Sequence, residues 1–310
     1  MGFTVGSLTD YVDQTSTDLL TATQFAGETA AIMNLQTGIK SSAALQLLST
    51  NSVPQAGETC GFNASGDVTF TQRNLTTVAI KFQDTLCPRA LQAKWTQVLL
   101  KKGQQISESD IPKIIVDNII GGIKQRLETA DWQGDTASPS QYLLLYDGLI
   151  KTIVNSTGEV VATASTYNTA NCRTIVANII NNIPAALKGN GAVKIFMGYD
   201  AVEIYRQKLM NDNLYHVPAG SADQKGIMAE GSVHEIVPRH GLDGLYSVAG
   251  QTCIFALNPD NVFLGVDMEN EEEQVKMWYS ADDDNVKYSF RFRRGWQIAY
   301  PSEIVRYANS

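Results

Sequence analysis

Apolar residues recur at two periods along this chain, and the switches between them divide it into helical and extended parts. Residues 1–30 are polar and Thr-rich, with no sustained apolar stripe. They read as an extended arm that must dock on something to become ordered. In KSSAALQLLST, residues 40–50, Ala44, Leu45, Leu47 and Leu48 share one side of a short helix. A Gly-rich irregular stretch, VPQAGETCGFNASGD, follows. Residues 68–86 then alternate with period two: Val68 and Phe70 in a first run, Val78, Ile80 and Phe82 in a second. The two runs read as a hairpin turning near Arg73-Asn74. An isolated hairpin is marginal in water, so this one requires support from its own domain or from another subunit.

Pro88 opens a helix that stops at Gly103. A longer helix is predicted from Ser109 to Trp132, with Ser109 or Asp110 as cap and Pro112 in the first turn. Val116, Ile120, Ile123, Leu127 and Ala130 give it one apolar face. Gly121-Gly122 interrupts its middle at about 1 kcal/mol each, which points to a close crossing or a bend. Residues 141–154 read as strand and turn around Tyr146-Asp147-Gly148, and residues 169–188 as an amphipathic helix ended by Gly189. Strands are predicted at 193–197, 233–237, 252–257 and 262–266, with a helix at 200–210. The C-terminal part is a hairpin, VKMWYS and VKYSFRFRRGWQIAY, joined by an Asp-rich turn. There Tyr288, Phe290 and Phe292 alternate with Lys287, Arg291 and Arg293. Segregated helices and antiparallel hairpins give an α+β fold.

Composition changes the picture in one respect. Charged residues make up 18% of the 310 residues, below the usual quarter, so much of the surface is expected to be buried against partners. The net charge of −8 argues against a dedicated nucleic-acid reader. Basic residues lead between Arg73 and Arg126 and acidic ones between Asp267 and Asp284; opposite-sign segments steer neighbouring copies into register. The opening MGFTVGSLTDYVDQ has no secretory pattern, and no apolar run approaches the roughly 20 residues that span a bilayer. Cys60, Cys87, Cys172 and Cys253 have no metal-ligand spacing. Free thiols are the default, with a Cys60–Cys87 disulfide as a minor option.

No pattern assigns catalytic, cofactor-binding or metal-binding residues. His234-Glu235 begins like a zinc-protease motif, but the next histidine is His240. Gly189-Asn190-Gly191 precedes a strand, so it is no dinucleotide loop. Asp282-Asp283-Asp284 lacks calcium-loop spacing. Arg239-His240-Gly241-Leu242-Asp243-Gly244 reads as a tight turn. A rival enzymatic reading would rest on Glu235, His240 and Asp243.

The ordered series GIKSSAALQLLST, CGFNASGDVTFTQRNLTTVAIKFQDTLCPRALQAKW, ADWQGDT, YDGLIK, FMGYDA, VPRHGLDG and NVFLGVDMENEEE, from Gly38 to Tyr300, resembles the major capsid proteins of tailed bacteriophages, nearest to those of a Bacteroidetes-phage-like group. The resemblance implies the Hong Kong ninety-seven-type capsid fold: an N-terminal arm at 1–50, an E-loop hairpin region at 51–90, a peripheral domain with a long spine helix at 91–164 and 251–310, and an axial domain at 165–250. It implies a structural, non-enzymatic subunit of the virion that self-assembles into hexamers and pentamers of an icosahedral head. Assembly in the host bacterial cytoplasm, non-specific contact with packaged double-stranded DNA, and decoration, scaffolding and portal proteins as further partners follow from it; a membrane does not. An encapsulin-like compartment shell is the alternative on the same fold. Many family members begin with a cleaved scaffolding segment; here the arm starts almost at Met1, so none is expected. Lys81 lies in the E-loop region, but no acidic catalyst or Asn partner for a covalent crosslink is evident.

Overall fold

The computed structural model describes residues 27–55, 57, 61, 65–87, 110–162, 165–189, 191–212, 227–247, 252–267, 276–283 and 285–308. The predicted helix at 88–102, Cys60 and most of the N-terminal arm lie outside these residues. The described helices are α1 (Asp110–Gln133), α2 (Leu149–Val154), α3 (Cys172–Asn182) and α4 (Tyr199–Asn211).

The apolar stripe of α1 is buried as the periodicity predicts: Val116, Ile120, Ile123, Leu127 and Ala130 belong to one core. That core also takes in a five-stranded sheet of β1 (Asn34–Gln36), β4 (Val78–Leu86), β10 (Val262–Asp267), β11 (Lys276–Ser280) and β12 (Asn285–Ile298). β12 is the central strand. It pairs antiparallel with β4 on one side, from Val286↔Leu86 to Arg294↔Val78. On the other side it pairs with β11 near its start and β10 near its end. Val286, Phe290, Phe292, Trp296 and Ile298 are buried in the same core, and Arg291 stands on the exposed face, as expected of a strand with one wet side. Ala30 and Met33 are also in this core, and β1 pairs parallel with β10. Residues 30–36 of the expected arm therefore dock on the core of their own chain.

A second core is built on a six-stranded sheet in the order β5 (Val160–Ala162), β13 (Val305–Ala308), β9 (Thr252–Leu257), β6 (Lys194–Met197), β8 (Glu235–Pro238), β7 (Ile227–Met228). Ile195, Met197, Ile254 and Ala256 pack with Ile175, Val176 and Ile179 of α3 and Tyr205 of α4. The alternate residues Phe196, Phe255 and Leu257 belong to the first core. Trp132 of α1 lies 5.9 Å from the Phe196 ring and 5.6 Å from the Phe255 ring. The central strands of this sheet are buried on both faces, and Trp132 seats α1 on the face that belongs to the first core.

Four expectations are corrected. Residues 40–50 are not a helix: β2 (Ser42–Ser52) is a strand. The stretch 68–86 is not one hairpin. β3 (Gly66–Thr76) pairs with β2 over the full register Ser42↔Thr76 to Ser52↔Gly66, whereas β4 pairs with β12. The chain runs through Arg73-Asn74 without turning and changes partner at Thr77, whose N–H donates to the Ser41 carbonyl and whose hydroxyl donates to the Ile39 carbonyl, both 2.9 Å. The reversal lies in the Gly-rich stretch instead. Gly66 has φ +124°, and a Cβ there would stand 2.4 Å from the Asn51 carbonyl oxygen, so no other residue fits. Third, residues 141–154 form turns followed by α2. The helix after Thr169 also ends early, at Asn182: Ile183 precedes Pro184 and has left the helical region (ψ 130°), as a residue before proline tends to do.

Gly121 and Gly122 are exposed, and a Cβ on either meets nothing within 4 Å. No close crossing within the described subunit explains them. Gly121→Ala with Gly122→Ala is expected to stabilise the folded chain by about 1–2 kcal/mol. A fall in Tm of the double variant would show that α1 needs these glycines for a bend.

Candidate assembly surfaces

A buried polar joint ties the end of α1 to β12 and to the N-terminal segment. Asp131 is fully buried at the end of α1. Its Oδ1 accepts from the Tyr146 hydroxyl (2.7 Å), Arg294 Nε (2.8 Å) and Trp296 Nε1 (2.7 Å), and its Oδ2 accepts from Arg294 Nη2 (2.5 Å). Burial disfavours the Arg294 charge, but Asp131 more than offsets it and holds the guanidinium above its ordinary pKa. Burial, followed by the Asp131 charge, raises the Tyr146 phenol well above its usual value. Glu128, one turn earlier, accepts from the Thr29 N–H (3.1 Å) and from the Thr29 hydroxyl. Thr29 Oγ1 in turn accepts from Trp132 Nε1 at 2.7 Å. Burial, then the Asp131 charge, raises the Glu128 carboxyl. Gln133 Nε2 donates to the Gly241 carbonyl (2.8 Å). A Cβ on Gly241 would stand 2.3 Å from Trp132 Cδ1, so this glycine permits the close approach of the 240s turn to α1. Every acid here is consumed in holding N-terminal segment, helix and strand together.

The residues of the enzymatic reading do not form a site. His240 and Asp243 meet in a 3-10 turn, with Nδ1 2.9 Å from Asp243 Oδ2. Asp243 Oδ1 accepts from the Tyr199 N–H (2.6 Å) at the start of α4, and the His240 ring stacks on Tyr199. Glu235 pairs with Lys194 at 2.9 Å instead. His234 is buried, with Nδ1 3.0 Å from the Val193 carbonyl. Asp283 pairs with Lys287 and accepts from Ser280 in the β11–β12 turn. Among the described residues no three metal-ligating side chains gather, and no helix is long and apolar enough to cross a membrane. Cys87, Cys172 and Cys253 are free thiols, and burial pushes Cys253 up to about 12. Lys81 is exposed on β4 opposite Arg291.

The hydrogen bond to Asp243 raises the His240 pKa above its ordinary 6.5, with burial opposing and Glu28 assisting. Its stabilising contribution is therefore complete below 6.5 and lost as pH rises through the higher folded value. His240 is more than half exposed, so the effect stays under about 1 kcal/mol. In an NMR titration of the purified chain, Asp243→Asn is expected to bring the His240 pKa down; an unmoved value would refute the pairing.

The most unusual surface is the β2–β3 hairpin. In its register, directly opposed residues share a face. The odd-numbered face is anchored at its root: Leu45 and Leu75 are buried with Ile39 in a small cluster. The even-numbered face carries Leu48 opposite Phe70 and Thr50 opposite Val68. Leu48 is 52% exposed, Val68 58% and Phe70 75%. Beyond Leu45 the hairpin runs on for ~20 Å at strand rise, with only Leu47 less than exposed in that outer part. Sequence reasoning found both Val68 and Phe70 but gave them the wrong partner strand.

No family model matches this chain, and no curated protein matches it. Solved structures do. The chain is similar to a protein in the satellite phage P4 procapsid (TM-score 0.63, 11% identity, 94% of this chain and 90% of that one). It is similar to a Gordonia phage Cozz structure (TM-score 0.62, 10% identity, 91% and 86%). It is also similar to the capsid of the native GTA particle (TM-score 0.61, 12% identity, 93% and 90%). The fold is therefore that of phage capsid proteins, the Hong Kong ninety-seven type, in α+β form.

Proposed function

We propose that this chain is the major capsid protein of a tailed bacteriophage, a non-enzymatic subunit that assembles with copies of itself into hexamers and pentamers of an icosahedral head around double-stranded DNA. The observation that carries the proposal is the β2–β3 hairpin: on a chain with the capsid fold, it exposes Leu48, Val68 and Phe70 on one face, and among the described residues no further strand pairs with it. A two-stranded hairpin is stable only with outside help, and identical neighbours supply it. In the same reading the hairpin acts as the E-loop, α1 as the spine helix, the five-stranded sheet as the peripheral domain and the six-stranded sheet as the axial domain. Portal, scaffolding and decoration proteins are the further partners, assembly takes place in the host bacterial cytoplasm, and the ordered motif series resembles that of a Bacteroidetes-phage-like group.

Electron micrographs of the purified full chain are expected to show closed shells. A protein that stays monomeric at tens of micromolar across salt conditions overturns the proposal. Shells that enclose a dedicated protein cargo and never DNA replace it with the encapsulin-like reading. Truncation tests of the arm are best ended at residue 26, because Glu128 and Trp132 hold Thr29 within the subunit.

A further inference from the structure

A polar groove of about 530 Å³ opens at the root of the hairpin, lined by Arg73, Asn74, Asn155, Ser156, Trp296 and Gln297 among others. Arg73 is half-buried there. Its Nη1 donates to Ser156 Oγ at 3.3 Å and to the Ile298 carbonyl at 3.4 Å, both neutral and both long. Ser156 Oγ is itself occupied as donor to the Thr152 carbonyl at 2.6 Å. The carboxylate within the groove, Asp147, is taken up by Lys151 (2.8 Å) and by the N–H and hydroxyl of Thr136. Arg173, Arg294 and Arg306 each have a carboxylate partner; Arg73 has none among the described residues. Burial alone acts on its charge, pulling the pKa below the ordinary value. A guanidinium partly withdrawn from water without a counter-ion carries a desolvation cost.

We infer that this groove receives a carboxylate from a second copy of the chain, bound on the Arg73 guanidinium. The inference rests on the assembly reading above. Guanidinium recognises a planar anion through paired N–H donors, so carboxylate and phosphate are the chemistries that fit. The chain carries 32 acidic against 24 basic residues, so each copy offers its neighbours carboxylates in excess. A nucleic-acid backbone is held by several cations together, whereas Arg73 is the one cation among the groove's lining residues and Asp147 lines the same groove. Arg73 lies on the face of the hairpin opposite to Phe70, so an ion pair there and an apolar contact at Phe70 hold the hairpin from both sides.

The test compares full-length wild type, Arg73→Gln and Arg73→Lys, as unassembled subunits and as shells. Arg73→Gln is expected to leave subunit Tm close to wild type, to raise the subunit concentration needed for assembly about tenfold, and to flatten its dependence on NaCl. Arg73→Lys recovers most of the loss. Assembly of Arg73→Gln at the wild-type threshold overturns the inference. An unchanged threshold with weakened DNA retention does so too, and assigns the groove to phosphate. If Arg73→Gln fails to fold, carbodiimide treatment of Arg73→Lys shells decides: a link from the amine at position 73 to another copy supports the contact, and links within one chain alone overturn it. Wild type that forms no shells defeats the assembly reading as well; shells indifferent to position 73 defeat this contact only.

Discussion

Asp131→Asn is expected to cost the unassembled subunit about 3–5 kcal/mol of unfolding free energy. The substitution keeps the shape of the side chain and removes its charge. Arg294 is 1% exposed, so its guanidinium stays buried and charged without a counter-ion. The donors of Tyr146, Trp296 and Arg294 that converge on the carboxylate then face an amide that can accept only through one oxygen and brings two donors of its own. Against a typical total of 5–15 kcal/mol, this is a large share. Urea unfolding followed by tryptophan fluorescence reports on the joint directly, because Trp132 and Trp296 both lie in it. Removing both charges, as Asp131→Leu with Arg294→Met, should cost much less than Asp131→Asn alone, since a buried pair exchanged for apolar groups is often near neutral. A loss below about 1 kcal/mol for Asp131→Asn would mean that water reaches the pair and the joint is not dry.

This joint was half legible in the sequence. Along β12 the period of two that buries Phe290 and Phe292 continues through residues 294, 296 and 298. Arg294 therefore falls on the inward face, and an inward arginine demands an acid. Asp131 follows Leu127 and Ala130 at the four- and one-residue spacings of the buried side of α1. What the sequence lacks is the register between helix and strand, 163 residues apart, which only the folded cores determine. The same distinction explains the hairpin. Ala44, Leu45, Leu47 and Leu48 satisfy a helical spacing, but a short apolar run does not separate helix from strand. Pairing with Asn74, Arg73, Thr71 and Phe70 decided for strand. Arg73-Asn74 carries polar residues but no glycine, while the chain reversal uses the positive-φ Gly66. Long elements with sustained periodicity, α1 and β12, were readable; partner choice among short β-strands was not, because it depends on contacts remote in sequence.

Phe70→Asp is expected to abolish shell formation while leaving the subunit folded. Phe70 is three-quarters exposed and stands opposite Leu48, so within one subunit a charge there disturbs little, about ±0.5 kcal/mol. In an assembly the sign reverses. Covering a phenyl ring contributes about 1.5–3 kcal/mol, which the substitution forfeits, and burying an unpaired carboxylate adds a larger cost. That loss recurs at every copy, and a closed shell multiplies weak contacts into strong cohesion only when all of them form together. Phe70→Ala should give an intermediate result, with shells at higher subunit concentration. Hydrogen exchange separates this contact from a general loss of solubility. In free wild-type subunits the amides of Leu48–Ser52 and Gly66–Phe70 should exchange quickly, because an uncovered two-stranded ribbon opens readily; in shells they should be protected. The amides around Leu45 and Leu75, anchored to the subunit's own core, should be slow in both states. Normal shells from Phe70→Asp, or equal exchange at the hairpin in subunits and shells, would show that this face stays in water after assembly and that the hairpin is held elsewhere.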